Sequence, residues 1–210
     1  MMVRFILFLT FISFSFSSES AEKILKNIVK KYKECNNFTA EFIHTEYFKL
    51  TGSKNEINGK IYVKDGIKYR LVTDDQTVVT DGKVVWTYSP FNNQVLIDYV
   101  KEGDGSLLPR DLLFKYPKEY YAALLKELSI GEDNYYLLKL DPKENIHGYI
   151  QSMQILVNTR TYIISKVEYT DYENNVSSFE IKQIDTTTPL SDSQFTYQIK
   201  EGVKVVDLRM

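Results

Sequence analysis

The chain has 210 residues, 26 lysines and arginines against 28 aspartates and glutamates, a net charge of −2 and one cysteine, Cys35. Interspersed charges of both signs build no field for nucleic acid, and a lone cysteine leaves the fold without an internal disulfide, so its core must hold it together. The anomaly is aromatic content: 16 Tyr, 12 Phe and one Trp exceed what a plain two-layer core needs, so either a Tyr-rich sheet faces solvent or aromatic surface lines a cavity.

Arg4 precedes an apolar run from Phe5 to Phe16, broken by Thr10, Ser13 and Ser15, and small or polar residues follow from Ser17 to Ala21. That order is that of a secretory signal, and the run falls short of the roughly 20 residues a spanning helix needs. Residues 1–20 are read as a cleaved signal peptide and 21–210 as one exported, soluble domain. No cysteine ends the apolar run to take a lipid anchor.

Ser20 caps a predicted helix from Ala21 to Cys35. Ile24, Leu25, Ile28, Val29 and Tyr32 form one apolar stripe at helical spacing. Strand-like segments follow: Phe38 to Leu50, Ile57 to Lys64, Ile67 to Thr73, Gln76 to Thr80, Lys83 to Ser89 and Gln94 to Val100. The separators, among them Asp65-Gly66 and Asp81-Gly82, are too short for parallel crossovers and predict an antiparallel meander. Gly103 to Gly105 break the pattern. Residues from Ser106 onward then read as two short helices, Leu107 to Phe114 and Lys118 to Leu128, divided by Pro117. Strands resume with Tyr135 to Leu140, Ile150 to Asn158, Tyr162 to Asp171, Val176 to Ile184 and a late Phe195 to Ile199.

The expected fold is mainly β with α: a single curved antiparallel sheet, since a sheet of about ten strands curls, forming an open, incomplete β-barrel. About three helices cover one face as a lid.

Catalytic chemistry finds little to stand on. His44 and His147 are the two histidines, and neither has Cys, Asp or Glu at ligand spacing, so no metal site is expected. There is no Gly-x-Ser-x-Gly elbow. Cys35 reads as a small core residue, and Asp74/Asp75 and Glu132/Asp133 as solvated turn residues. Gly103-Asp104-Gly105 lacks the Lys-Ser/Thr ending of a phosphate loop. No cofactor and no enzymatic activity are expected.

Several segments carry a family resemblance. Asp81 to Gln94, DGKVVWTYSPFNNQ, is similar to the "DGxxxWxYxPxxxQ" stretch of the outer-membrane lipoprotein carrier (LolA) family. Phe38-Thr39-Ala40-Glu41-Phe42 resembles its "FxAxF" opening strand. Gly59 to Lys64 with Lys68 to Leu71 resembles its "GxxxxxRPxxFRW" hairpin, Tyr136 to Lys143 its "YxLxPK", and Phe195 to Asp207 its closing "FxFxxPxGVxVxD". The ordered set covers almost the whole mature chain.

The resemblance implies a monomeric periplasmic chaperone whose cargo is acylated lipoproteins, taken from an inner-membrane ABC transporter and delivered to an outer-membrane acceptor. Where the family has Arg-Pro in the hairpin, this chain has Asp65-Gly66. The family arginine ties the lid shut, so a latch here would fall to Lys64, Lys68, Arg70 or Arg110, or the lid closes by apolar contact alone. Other readings of the same chain are a related lipid or glycolipid shuttle, a lipid-sensing regulator and an exported lipid hydrolase.

Strand parity then supplies the expected cavity lining: Ile61, Val63, Tyr69, Leu71, Val84, Trp86, Tyr88, Met153, Ile155 and Val157. Tyr69 and Leu71 match the Phe and Trp positions of the family hairpin. The lid is expected to use Ile24, Leu25 and Ile28 from the first helix, Leu108, Leu112 and Leu113 from the second, and Leu124 and Leu125 from the third. Parity groups residues on a face but leaves open which face turns inward.

Overall fold

The structure, a computed structural model, describes residues 20–100, 119–143 and 149–209. It opens with the expected helix, α1 (Ala21–Cys35). Ser20 caps it, its hydroxyl accepting the Lys23 N–H at 3.3 Å, which satisfies one of the amides that the first turn leaves without a partner. Asn36 ends the helix with φ 55°, a positive φ that asparagine tolerates better than most residues.

Twelve strands follow in one sheet: β1 (Asn37–Tyr47), β2 (Lys54–Lys64), β3 (Lys68–Thr73), β4 (Thr77–Thr80), β5 (Val84–Ser89), β6 (Gln94–Tyr99), β7 (Tyr120–Ile130), β8 (Asp133–Pro142), β9 (Ile150–Asn158), β10 (Ile164–Asp171), β11 (Val176–Asp185) and β12 (Lys204–Asp207). Their order across the sheet is β12-β6-β5-β4-β3-β2-β1-β11-β10-β9-β8-β7. Among the described residues the two ends, β12 and β7, do not pair, so the sheet is open. Every pairing is antiparallel except β12 with β6, which is parallel.

Curvature follows from what one helix has to cover. A flat sheet would set β3 and β7 about 34 Å apart, whereas a helix with its side chains is roughly 10 Å across. Yet Tyr69 of β3 and Tyr120 of β7 belong to one buried cluster with Ile24, Leu25, Ile28 and Tyr32 of α1. The sheet curls around the helix.

Local chemistry fixes the register. Between β2 and β3, Asp65 and Gly66 both have positive φ, 55° and 68°, in a tight three-residue loop that sets Lys64 opposite Lys68. Within β2, Gly59 lies opposite Phe42, and a side chain there would collide with the Phe42 ring. The absent Cβ lets that ring fold over the neighbouring strand.

Two expectations for the lid and the C-terminus are overturned. The helix expected over Lys118 to Leu128 is strand from Tyr120 onward: Tyr120–Ile130 is the edge strand β7. Its apolar residues mimic a helical stripe because a register shift between Leu124 and Lys126 inserts Leu125 into the strand, breaking the alternation. Among the described residues α1 is the sole α-helix, so a lid of three helices is not what they form; Leu107 to Phe114, with Leu108, Leu112 and Leu113, lies outside them. Phe195 to Ile199 is not a strand either. Phe195 ends a short 3₁₀ helix, Asp192–Phe195, held by a capping box between Ser191 and Gln194, and the closing strand is β12.

Candidate functional site

Residues directly opposite in a ladder point to the same side of the sheet, so the pairings divide the side chains into two faces. Ile61 pairs with Leu71 and Val63 with Tyr69. The same face continues through Val78 and Thr80 of β4 and, in the other direction, through Phe38, Ala40, Phe42 and His44 of β1. It crosses Phe179, Ile181 and Ile184 of β11, Val167 and Tyr169 of β10, Met153 and Ile155 of β9, and ends on Leu138 and Leu140 of β8 and Ala122 and Leu124 of β7. This is the inner face, the one that α1 covers.

Burial along it is graded. Met153, Ile155, Val157, Leu138 and Leu140 are buried beneath α1, as are Val63 and Tyr69, whereas Ile61, Leu71, Val78, Leu124, Phe179, Ile181 and Ile184 are half-buried and pack against that cluster. The half-buried group is apolar surface that the fold leaves partly open. Fully sheltering a Leu or Ile side chain is worth about 2 kcal/mol, so this surface gains from an apolar guest.

The lining expected from sequence therefore separates. Ile61, Val63, Tyr69, Leu71, Met153, Ile155 and Val157 come together on the inner face. Val84, Trp86 and Tyr88 do not. Trp86 pairs with Val79, Val79 with Arg70, and Arg70 with Tyr62, which places all of them on the outer face. At β5 the inner positions are Val85 and Thr87. A second buried group explains the confusion: Val79, Val95 and Ile97 are buried on the outer face, and the C-terminal segment, residues 186–203, contributes buried Leu190 and Phe195. Tyr197 of that segment stacks on Tyr88 with ring centroids 5.6 Å apart.

The bases considered as lid latches face the same way. Lys64 Nζ donates to the Leu190 carbonyl at 2.8 Å and Arg70 Nη1 to the Gln194 carbonyl at 3.1 Å. Lys68 Nζ meets Asp192 at 2.8 Å and Asp65 at 3.4 Å. The Asp192 carboxyl is held below its ordinary range, first by the hydrogen bond from Lys68 and then by that from Lys64. These three bases tie down the C-terminal segment rather than α1; Arg110 lies outside the described residues. A groove of about 370 Å³ has Phe42, Ile43 and Val72 in its lining together with the charged Glu41, Lys60, Asp74 and Lys182.

Of the lid residues, Ile24, Leu25 and Ile28 are buried in the core cluster with the inner-face strands. Leu124 belongs to β7 and faces inward, while Leu125, the inserted residue of that strand, is exposed. Tyr32 carries a polar tether: its hydroxyl accepts the Ile164 N–H at 3.2 Å. Burial pushes the phenol up to about 12.

Parity reasoning overlooked His44. Its ring lies on the inner face, stacked on Phe179 with centroids 4.1 Å apart and planes 4° from parallel. Nε2 is buried without a hydrogen-bond partner among the described residues. Burial lowers its pKa, opposed by Glu46, whose carboxylate is 4.0 Å away. The signal was in the sequence: a histidine at an apolar-face position of an otherwise alternating strand. No cluster of His, Cys, Asp and Glu able to hold a metal occurs among the described residues, and no helix there is long and apolar enough to cross a membrane.

Comparison with known proteins agrees with this architecture. A protein of Thermus thermophilus, described as an uncharacterized conserved protein, superposes with a TM-score of 0.61 at 15% identity, over 90% of this chain and 99% of its own. The outer-membrane lipoprotein carrier protein of Photorhabdus laumondii is 24% identical over 187 residues, 88% of each chain. That of Glaesserella parasuis is 24% identical over 205 residues, 96% of this chain and 92% of its own. The model of the family "Outer membrane lipoprotein carrier protein LolA" matches residues 33–198. With an open curled sheet, a buried helix and a family match running from the end of α1 to the C-terminal segment, the chain belongs to the LolA family of outer-membrane lipoprotein carrier proteins.

Proposed function

We propose that this protein is a non-enzymatic periplasmic chaperone. It shelters the acyl chains of lipoproteins on the inner face of its sheet, accepting them from an inner-membrane ABC transporter and handing them to an outer-membrane acceptor. The observation that carries the reading is the half-buried apolar surface of Ile61, Leu71, Val78, Phe179, Ile181 and Ile184 beside α1, in a chain of the lipoprotein carrier family.

The physics suits transient carriage. Each acyl CH₂ withdrawn from water is worth about 0.8 kcal/mol, so a multiply acylated lipoprotein needs an apolar shelter in an aqueous compartment. An apolar surface offers affinity without a fixed register, and α1 and its neighbours already fill part of it, which lowers the net gain. Small differences between donor, carrier and acceptor then suffice to move the cargo.

Competition between an environment-sensitive hydrophobic fluorophore and a synthetic diacylated lipopeptide tests the proposal on mature protein, residues 21–210. Displacement with no chemical change in the lipopeptide by mass spectrometry is expected. Absence of displacement, or hydrolysis of an ester, would overturn it.

A further inference from the structure

Acyl chains are joined to their polar parts through ester or amide carbonyls, and a purely apolar surface would leave those oxygens desolvated without a partner. The inner face carries several polar side chains, Thr80, Thr87 and Glu46 among them, and among the described residues His44 is the one with a buried side-chain nitrogen lacking a hydrogen-bond partner. His44 sits between Ile57 of β2 and Phe179 of β11, next along the face from Phe42, which is itself buried. Its ring is locked by near-parallel stacking on Phe179. Nε2 is the buried side-chain polar atom that lacks a hydrogen-bond partner among the described residues.

A phenylalanine would pack at this position without leaving a polar atom unsatisfied, and an unmade hydrogen bond at a buried site is costly. The nearest candidate, Glu46 Oε1 at 4.0 Å, stands beyond hydrogen-bond reach. Its negative charge also selects among ligand groups. A carboxylate or phosphate approaching Nε2 would be repelled by Glu46, whereas a neutral carbonyl would not, and a neutral imidazole offers it an N–H donor.

We infer that His44 is a specificity-determining contact of the inner face, donating from Nε2 to the carbonyl oxygen of an acyl ester or amide of the bound cargo. This inference rests on the acyl-carrier reading above. It adds direction to an otherwise undirected apolar site: the carbonyl end of a chain is set beside Phe42, His44 and Phe179, and the hydrocarbon runs toward the half-buried aliphatic surface.

The test compares two probes of equal chain length, a dipalmitoyl-ester lipopeptide and its dialkyl-ether counterpart, which lacks the ester carbonyls. Affinities are measured by fluorophore displacement on wild-type protein, His44→Phe and His44→Gln, with circular dichroism to show that all three are folded. His44→Phe keeps the aromatic stack and removes the donor, so the ester probe should bind about three- to tenfold more weakly and the ether probe within about twofold of wild type. His44→Gln keeps an N–H donor and should recover most of the ester affinity. An unchanged ester affinity in His44→Phe, an equal loss for both probes, or a loss in His44→Gln as large as in His44→Phe would overturn the assignment. A wild-type protein that binds neither probe would instead remove the acyl-carrier reading on which it rests.

Discussion

The Tyr32 hydroxyl accepts the backbone N–H of Ile164 at 3.2 Å, a side-chain bond that ties the last turn of α1 to the start of β10. Ile164 stands at a register shift in the β9–β10 ladder, where the regular pattern of sheet bonds is interrupted. The helix thus meets a need of the sheet as well as covering it. Phe38 packs edge-on against the Tyr32 ring, centroids 5.3 Å apart, which holds the phenol in place.

Tyr32→Phe should therefore destabilise the protein by about 1–3 kcal/mol, because the Ile164 amide loses its acceptor at a buried site. Urea unfolding would measure it. The phenol also sets an alkaline limit. Its pKa is about 12 in the fold against an ordinary value of 10.0, so the neutral form is favoured by folding; the contribution is complete below pH 10 and is lost as pH rises from 10 toward 12. Tyr32→Phe should flatten the stability profile across that window, and an unchanged profile would place the alkaline sensitivity elsewhere.

Leu71→Glu probes the open part of the inner face. Leu71 is half-buried beside Ile61 and Val78, and a carboxylate there costs several kcal/mol when an acyl chain excludes water around it. Probe affinity should fall by more than about tenfold while far-ultraviolet circular dichroism keeps its β signature. Wild-type binding by a folded Leu71→Glu protein would mean that cargo lies elsewhere.

Trp86 is the opposite case. It is the single tryptophan of the chain and faces outward with Val79 and Ile97. Trp86→Ala should lower stability by about 2 kcal/mol, less than a fully buried aromatic because Trp86 is half-buried, and leave probe affinity within about twofold. In the wild-type protein, tryptophan emission should not shift when the probe is displaced by lipopeptide. A large shift would put cargo on the outer face.

Asp65 occupies the left-handed tip of its hairpin, where asparagine is equally at home. Its partner Lys68 is partly exposed and keeps Asp192 at the shorter distance of 2.8 Å. Asp65→Asn should thus change stability by less than about 0.5 kcal/mol and leave cargo release unaltered. Asp65→Val, forced to positive φ, should cost about 1–2 kcal/mol. A release rate strongly altered by Asp65→Asn would instead make this carboxylate a latch.

The sequence by itself determined α1, through Ser20 and the stripe from Ile24 to Tyr32, because a helix cap and a helical period are local. It determined the β2–β3 hairpin for the same reason: Asp65-Gly66 meets a backbone requirement within two residues. It also grouped Ile61 with Val63, Tyr69 with Leu71, and Met153 with Ile155 and Val157, since alternation is intrinsic to a strand. What it left open was the sign of each face. Both sides of this sheet bury apolar residues, one under α1 and the other with Leu190 and Phe195 of a segment far downstream of Trp86, so an apolar alternation at Val84, Trp86 and Tyr88 marks burial without marking the inside. Only the pairing of the strands, Trp86 to Val79 to Arg70, assigned it outward. The same holds for β7. Tyr120, Leu124 and Leu128 fit a helical period, and it took the ladder with β8, interrupted at Leu125, to make them a strand. Tertiary hydrogen bonding overrode local preference there, because an edge segment is defined by the neighbour it pairs with.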